Sequence, residues 1–229
     1  MQAAPLFRKP LALVVLLENV GHIAGLSLPQ WAMDVIDFVT EEYAKLLLRI
    51  LGAYRHYDRV IILEDAQANG EALSHALVEA SQTHQVDLLL LVHGLAEQLV
   101  GYRGKVRVGH ETFDPLCRAY CQDPQLLDLR MVYGVNCYGY SLSETWRKLG
   151  AQVVNGAVGV NWFPEPSLSV FLYNWLHGKS YSEAVTRSNH IANRFWRHIW
   201  RPDAEGHPHP FLLSSRQVVV GGSDLTIDS

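Results

Sequence analysis

Four apolar runs constrain this chain more than any other feature: Leu11 to Leu17, Val60 to Leu63, Val86 to Val92 and Leu129 to Val135. Each is nearly continuous rather than alternating, which is the pattern of strands covered on both faces, and such strands belong to parallel sheets flanked by helices. The segments between the runs carry helical patterns. Val35, Val39, Tyr43, Leu46, Leu47 and Ile50 recur at spacings of three and four, with Ser27 and Gln30 as a capping box ahead of them. A shorter helix over Gly70 to Ser81 presents Leu73, Leu77 and Ala80 as its apolar stripe. The order β-α-β-α-β specifies an α/β sandwich with a mostly parallel central sheet and helices on both faces. With 229 residues and 48% hydrophobic content the chain can bury one large core, so residues 1–229 are read as a single domain.

Past the third run the rhythm breaks. Alternating Val106 and Val108 among Gly101, Gly104 and Gly109 predict a small hairpin within Tyr102 to Phe113, followed by a helix over Asp114 to Cys121. Val153 to Val160 reads as a further strand in which Gly156 and Gly159 mark a bend or a close backbone approach. Ser167 to His177 reads as a helix closed by Gly178, suited to a left-handed cap. Ser180 and Glu183 then form a capping box for a helix with Ala184, Val185, Ser188, Ile191, Ala192, Phe195 and Ile199 along one face. Pro208 and Pro210 mark a loop, and Val218 to Val220 a last short strand.

The ends of two runs carry chemistry. The third run ends in His93-Gly94 and the fourth leads to Cys137-Tyr138-Gly139. As neighbouring parallel strands they deliver His93 and Cys137 to the same carboxyl edge, where open α/β sheets place their sites. A thiol acts as a nucleophile only as thiolate, and a free cysteine near pKa ~8.5 needs a base or a cation to reach that state. Histidine, with a reference pKa of ~6.5, can take that proton and return it to a leaving amine. Gly94, lacking a side chain, lets its N–H approach a developing oxyanion together with the N–H of Cys137.

These residues resemble the caspase-like cysteine peptidases of clan CD, in which a strand ending in His-Gly carries the acid/base and the next strand ends in the nucleophilic cysteine. Gly156 to Asn161, Trp162, Ser167 to Leu176 and Gly178 to Ala184 look like the elements that follow the cysteine in the gingipain and CHAT-domain branches, so the resemblance spans roughly Leu11 to Trp200 by element order. It implies a caspase-like three-layer sandwich and a cysteine endopeptidase that needs no cofactor. Cys137 and His93 would be catalytic, and Asn161, Trp162 and Glu165 would bind substrate, with Glu165 receiving a basic P1 side chain. Val92 and Asn136 depart from the family, which usually has a small or polar residue before His-Gly and a small one before the cysteine. A non-catalytic scaffold of the same fold therefore stands as a second reading.

Other classes fit less well. A net charge of -4 provides no footprint for nucleic acid, and Arg194, Arg197, His198 and Arg201 read as a solvated helix face. No run reaches the eighteen or so apolar residues of a spanning helix, and Leu11 to Leu17 after Arg8 and Lys9 is too short for a secretory signal. Three cysteines do not suggest a disulfide framework, so a cytoplasmic setting is expected. Cys117 and Cys121, with His110 nearby, lack the spacing of a structural zinc site, and no metal is expected. A cysteine α/β-hydrolase using His207 or His209 as base would need Gly-x-Cys-x-Gly, but Val135 stands at its first position. The partners expected are a protein or peptide substrate and, since no regulatory domain is recognisable, an activating chain.

Overall fold

The computed structural model describes residues 9–18, 41–162, 164–222 and 225–229. Its centre is a sheet in which β2 (Arg59–Leu63), β1 (Leu11–Glu18), β3 (Gln85–Leu95), β6 (Leu129–Gly134), β7 (Val153–Ala157) and β8 (Gln217–Gly221) lie in that order. All pairs are parallel except β7 with β8, which is antiparallel. Every residue of β1 and of β6 is buried, as continuous apolar runs require of central strands.

Helices cover both faces. On one face α3 (Gly70–Ser81), α4 (His110–Gln122) and α5 (Ser143–Lys148) pack on Ala12, Val14, Leu16, Leu88, Leu90 and Val132. On the other, a helix over residues 41–50 (α1), α6 (Pro164–Leu176) and α7 (Tyr181–Trp196) cover Leu13, Val15, Leu89, Leu91, Met131 and Tyr133. A single turn, α2 (Ala53–His56), leads into β2, and α8 (Pro210–Ser214) into β8. Alternate residues of each strand feed alternate cores, the two-residue period of the pleat.

An ion pair buried in this fold is fully hydrogen-bonded on its carboxylate side. Asp87 accepts from Arg130 Nε (3.0 Å) and Nη2 (3.2 Å) and from the Tyr57 hydroxyl (2.8 Å), which in turn accepts from Trp175 Nε1. Arg130 also reaches the carbonyls of Thr226 and Ser229, tying the last residues to the sheet.

Several sequence expectations need correction. The inserted hairpin lies earlier than Tyr102 to Phe113: its strands are β4 (Gln98–Val100) and β5 (Arg107–Val108), and β4 pairs with the end of β3. Helix α4 starts at His110 rather than Asp114 and contains Pro115 in its second turn. Burial of Phe113, edge-on to Trp146 at 4.9 Å, offsets the backbone bond that proline removes. Strand β7 ends at Ala157 because Gly159 donates to the Ser214 carbonyl and accepts from Tyr138 N–H instead of continuing the ladder. Helix α6 is regular only from Ser167, since Glu165 and Pro166 have non-helical dihedrals.

Two apolar stripes are turned from the expected direction. Residues 41–50 bury Ala44 and Leu48, leaving Tyr43, Leu46 and Ile50 outward; Val35, Val39 and the capping pair Ser27 and Gln30 lie outside the described residues. Helix α7 ends at Trp196, short of the expected Ile199; within it Ala184, Val185 and Ser188 are buried, but Ile191 and Phe195 are exposed, as is Ile199 in the turn beyond. At its start Ser180 caps the helix, its Oγ accepting from Glu183 N–H, while the Glu183 carboxylate pairs with Arg187 and Lys179; Gly178 holds the left-handed φ of 77°.

Candidate active site

The sheet itself creates the site by splaying. Strands β6 and β7 pair only at Met131 with Val153 and Val132 with Val154. Beyond that point the Asn155 side chain stands in for the ladder, its Oδ1 accepting from Gly134 N–H (2.9 Å) and its Nδ2 donating to the Gly134 carbonyl (3.2 Å). The turn that follows Cys137 wedges into the opening. A Cβ on Gly156 would collide with Gly139 and with the Tyr140 amide, so only glycine admits that turn.

Cys137 sits three residues past the end of β6, and Tyr138 after it takes a left-handed φ of 54°. Its thiol is half-buried. The Asn161 amide donates to Sγ at 3.3 Å, and the Asn161 side chain donates to the Val135 carbonyl at 2.6 Å, clamping both ends of the cysteine segment. Burial pushes the thiol pKa up, opposed by the amides of Asn161, Cys137 and Gly94, with burial prevailing. The resting group is therefore a neutral thiol at pH 7.

His93 lies one residue beyond Val92, the last position of β3 paired with β1, and lines the same cleft as Cys137. That cleft encloses about 180 Å³ and also has Leu17, Tyr43, Leu91, Asn161 and Glu165 on its walls. Gly94 explains why the histidine is followed by glycine: a Cβ there would strike the Cys137 carbonyl oxygen. The β3–β4 turn closes on Leu95 opposite Gln98, so Gly94 opposite Leu99 occupies the alternate position, where N–H points away from the partner strand. It points instead at the thiol.

The two departures have structural roles. Asn136, 2% exposed, fills a niche bounded by Gly94, Gly134 and Gly139, and its Nδ2 donates to the Cys137 carbonyl at 3.4 Å. Val92 is buried against β1 while forming part of the cleft wall.

Glu165 reaches the cleft with its carboxylate held from two sides. Tyr43 donates to Oε1 (3.3 Å) and Ser169 Oγ to Oε2 (2.7 Å), while Trp196 Nε1 donates to the Glu165 carbonyl. Burial and the Glu165 charge raise the Tyr43 hydroxyl pKa, keeping it a donor. Trp162 stands apart from the cleft wall, stacked on Phe211 at 4.1 Å with its N–H on Ser215 Oγ. Tyr43 and Ser169 were missed from sequence. Ser169 is only four residues from Glu165, but Glu165 precedes the regular part of α6, so helical spacing does not relate them; Tyr43 comes from a distant helix and left no local signal.

The remaining candidates lie elsewhere. His207 is exposed and pairs with Asp203 at 3.1 Å, and His209 accepts from Phe211 N–H; neither is among the described residues of the cleft wall. Without either base the α/β-hydrolase arrangement loses its support. Cys117 is half-buried and Cys121 exposed, both as free thiols. Among the described residues their ligand atoms do not converge with His110. Arg194, Arg197, His198 and Arg201 are all exposed, but only Arg194 lies on a helix; the other three follow the end of α7.

No family model and no curated protein matches this sequence. Among solved structures, the Arg-specific cysteine proteinase gingipain R superposes with a TM-score of 0.60 over 95% of this chain. The fold is caspase-like. Sequence identity to gingipain R is 13%, so the likeness concerns the path of the backbone, and the chain spans about half of that protein, 47% of its length. The caspase-like sheet accounts for the topology described above: a parallel core whose carboxyl edge carries the segments bearing His93 and Cys137. Among the described residues no helix is long and apolar enough to cross a membrane.

Proposed function

We propose that this chain is a cysteine endopeptidase using Cys137 as nucleophile and His93 as acid/base. The observation that carries the reading is the single cleft lined by His93, Cys137 and Glu165, with the Gly94 amide directed at the thiol. As Sγ attacks the scissile carbonyl carbon, His93 takes the thiol proton and the carbonyl electron pair moves to oxygen. The amides of Gly94 and Cys137, already converging on Sγ, receive that oxyanion. Collapse of the tetrahedral species breaks the C–N bond; His93 protonates the departing amine, leaving a thioester on Cys137. Water, deprotonated by His93, then releases the acid product and restores the thiol.

The carboxylate of Glu165, oriented by Tyr43 and Ser169, fits a lysine or arginine side chain at P1, a charge-assisted contact in a partly desolvated cleft. Because the thiol is neutral at rest, the base must act during attack. That same raised pKa favours the second reading, an inactive scaffold, should His93 fail to supply the base.

The test is cleavage of a mixed peptide library, read by mass spectrometry, using wild type, Cys137→Ala, His93→Ala and Glu165→Gln. Loss of cutting in the first two variants, and a shift away from basic P1 residues in the third, is the expected result. Cutting that survives Cys137→Ala overturns the assignment, and a wild type without activity selects the scaffold.

A further inference from the structure

We propose that the groove between α7 and the segment entering β8 is an exosite for an acidic, leucine-bearing segment of the protein substrate, a role that rests on the peptidase reading above. The groove holds about 580 Å³, with Arg194, Arg197 and Arg216 on its walls and Pro208, Leu212 and Leu213 among its apolar lining. Among the described residues none of the lining side chains is acidic. The arginine ion pairs among the described residues belong to Arg59, Arg130 and Arg187, so Arg194, Arg197 and Arg216 meet no carboxylate among the described residues. In a chain of net charge -4 this is a local concentration of positive charge that composition does not account for. Guanidinium groups pair bidentately with carboxylates, and complementary charge selects partners and speeds their encounter.

The apolar lining favours a peptide over a free anion. Leu213 on the groove wall is 55% exposed, beside the apolar surfaces of Pro208 and Leu212. Inorganic phosphate makes no use of such surface, whereas leucines between acidic residues would cover it.

One loop ties the groove to the site. The groove's floor segment holds the loop that follows β7: Val158 N–H donates to the Arg216 carbonyl (3.1 Å), Gly159 N–H to the Ser214 carbonyl (2.9 Å), and Trp162 N–H to Ser215 Oγ (2.9 Å). The same loop presents Asn161 to the Cys137 thiol. The loop therefore joins the arginine groove to the segment that holds the Cys137 thiol.

The test uses full-length Cys137→Ala protein, so that binding is read without turnover. The probe is a fluorescein-labelled peptide in which glutamates flank leucines, measured by anisotropy beside its glutamine isostere and with inorganic tripolyphosphate as competitor. The glutamate peptide is expected to bind and to weaken with salt. Its affinity should fall about tenfold or more in Arg194→Glu/Arg197→Glu and in Arg216→Glu, but not in Lys148→Glu on α5. Equal binding of the isostere, affinity unchanged by the reversals, or tripolyphosphate binding without peptide binding each overturns the proposal. Since the binding protein carries no nucleophile, such a failure leaves the cleavage test untouched, and a failed cleavage test leaves this measurement intact.

Discussion

Substituting Gly94 by alanine separates the geometry of the thiol from the stability of the fold. The added methyl would overlap the carbonyl oxygen of Cys137, with the Asn136 amide close behind it at 3.1 Å. Carbon and oxygen at ordinary contact need roughly 3.5 Å, so the Cys137 peptide must retreat by on the order of 1 Å. The obstacle is backbone, and it is pinned on its far side by Asn161 through Val135 and Sγ. A displacement of ~1 Å at the reacting atoms costs on the order of 100-fold in rate. Loss of one amide from an oxyanion site costs about as much. Strain of this kind in a packed interior destabilises by about 1–3 kcal/mol, which lowers Tm by roughly 2–4 °C per kcal/mol in a chain of this size. The expected outcome is therefore a folded protein with Tm lowered by several degrees, at least ~100-fold lower kcat/KM on the peptide selected from the library, and a changed rate of Cys137 alkylation. Alkylation needs no catalytic turnover, so it reports geometry even in an inactive scaffold. Wild-type alkylation and wild-type Tm together would refute the claim that the Gly94 contact sets the position of the thiol.

Two further outcomes test the electrostatics. In a Cys117→Ser/Cys121→Ser background, alkylation of Cys137 by iodoacetamide should rise with pH and reach half its maximum above the ordinary cysteine range near ~8.5. The sign follows from burial, which makes the folded state hold the thiol proton more tightly; a rate already at plateau at neutral pH would contradict it. For the buried pair, Asp87→Leu alone leaves the Arg130 guanidinium charged, 1% exposed and without its carboxylate, a loss of about 3–5 kcal/mol by urea denaturation. Adding Arg130→Met should recover a large part of that loss, because the residual charge is then gone. A double variant no more stable than the single would show that the hydrogen bonds to Thr226 and Ser229 matter more than the pair.

The strand runs, their parallel order and the two chemically marked edges were legible from residue types alone. An apolar run without alternation fits the middle of a covered sheet, and β1, β3 and β6 obey this closely, whereas the run in β2 departs from it, lying half-buried at the sheet's edge. Helix α3 was read to the residue, because its stripe and its ends are encoded locally; Asn69 caps it by accepting from Ala72 N–H. His93 and Cys137 followed from the same logic, since parallel neighbours deliver their ends to one edge.

What tertiary structure decided was everything set by approach between distant segments. That Asn155 would replace a ladder, that Asn136 would fill a space bounded by Gly94 as well as its near neighbours, and that Tyr43 would hold Glu165 depend on distances between segments far apart in the chain. The outward turn of Ile191 and Phe195 on α7 has the same cause: a helix pattern marks which residues share a face, but only the assembled layers determine how much of that face is covered. Local periodicity is a property of the chain, whereas a cleft is a property of its folded neighbours.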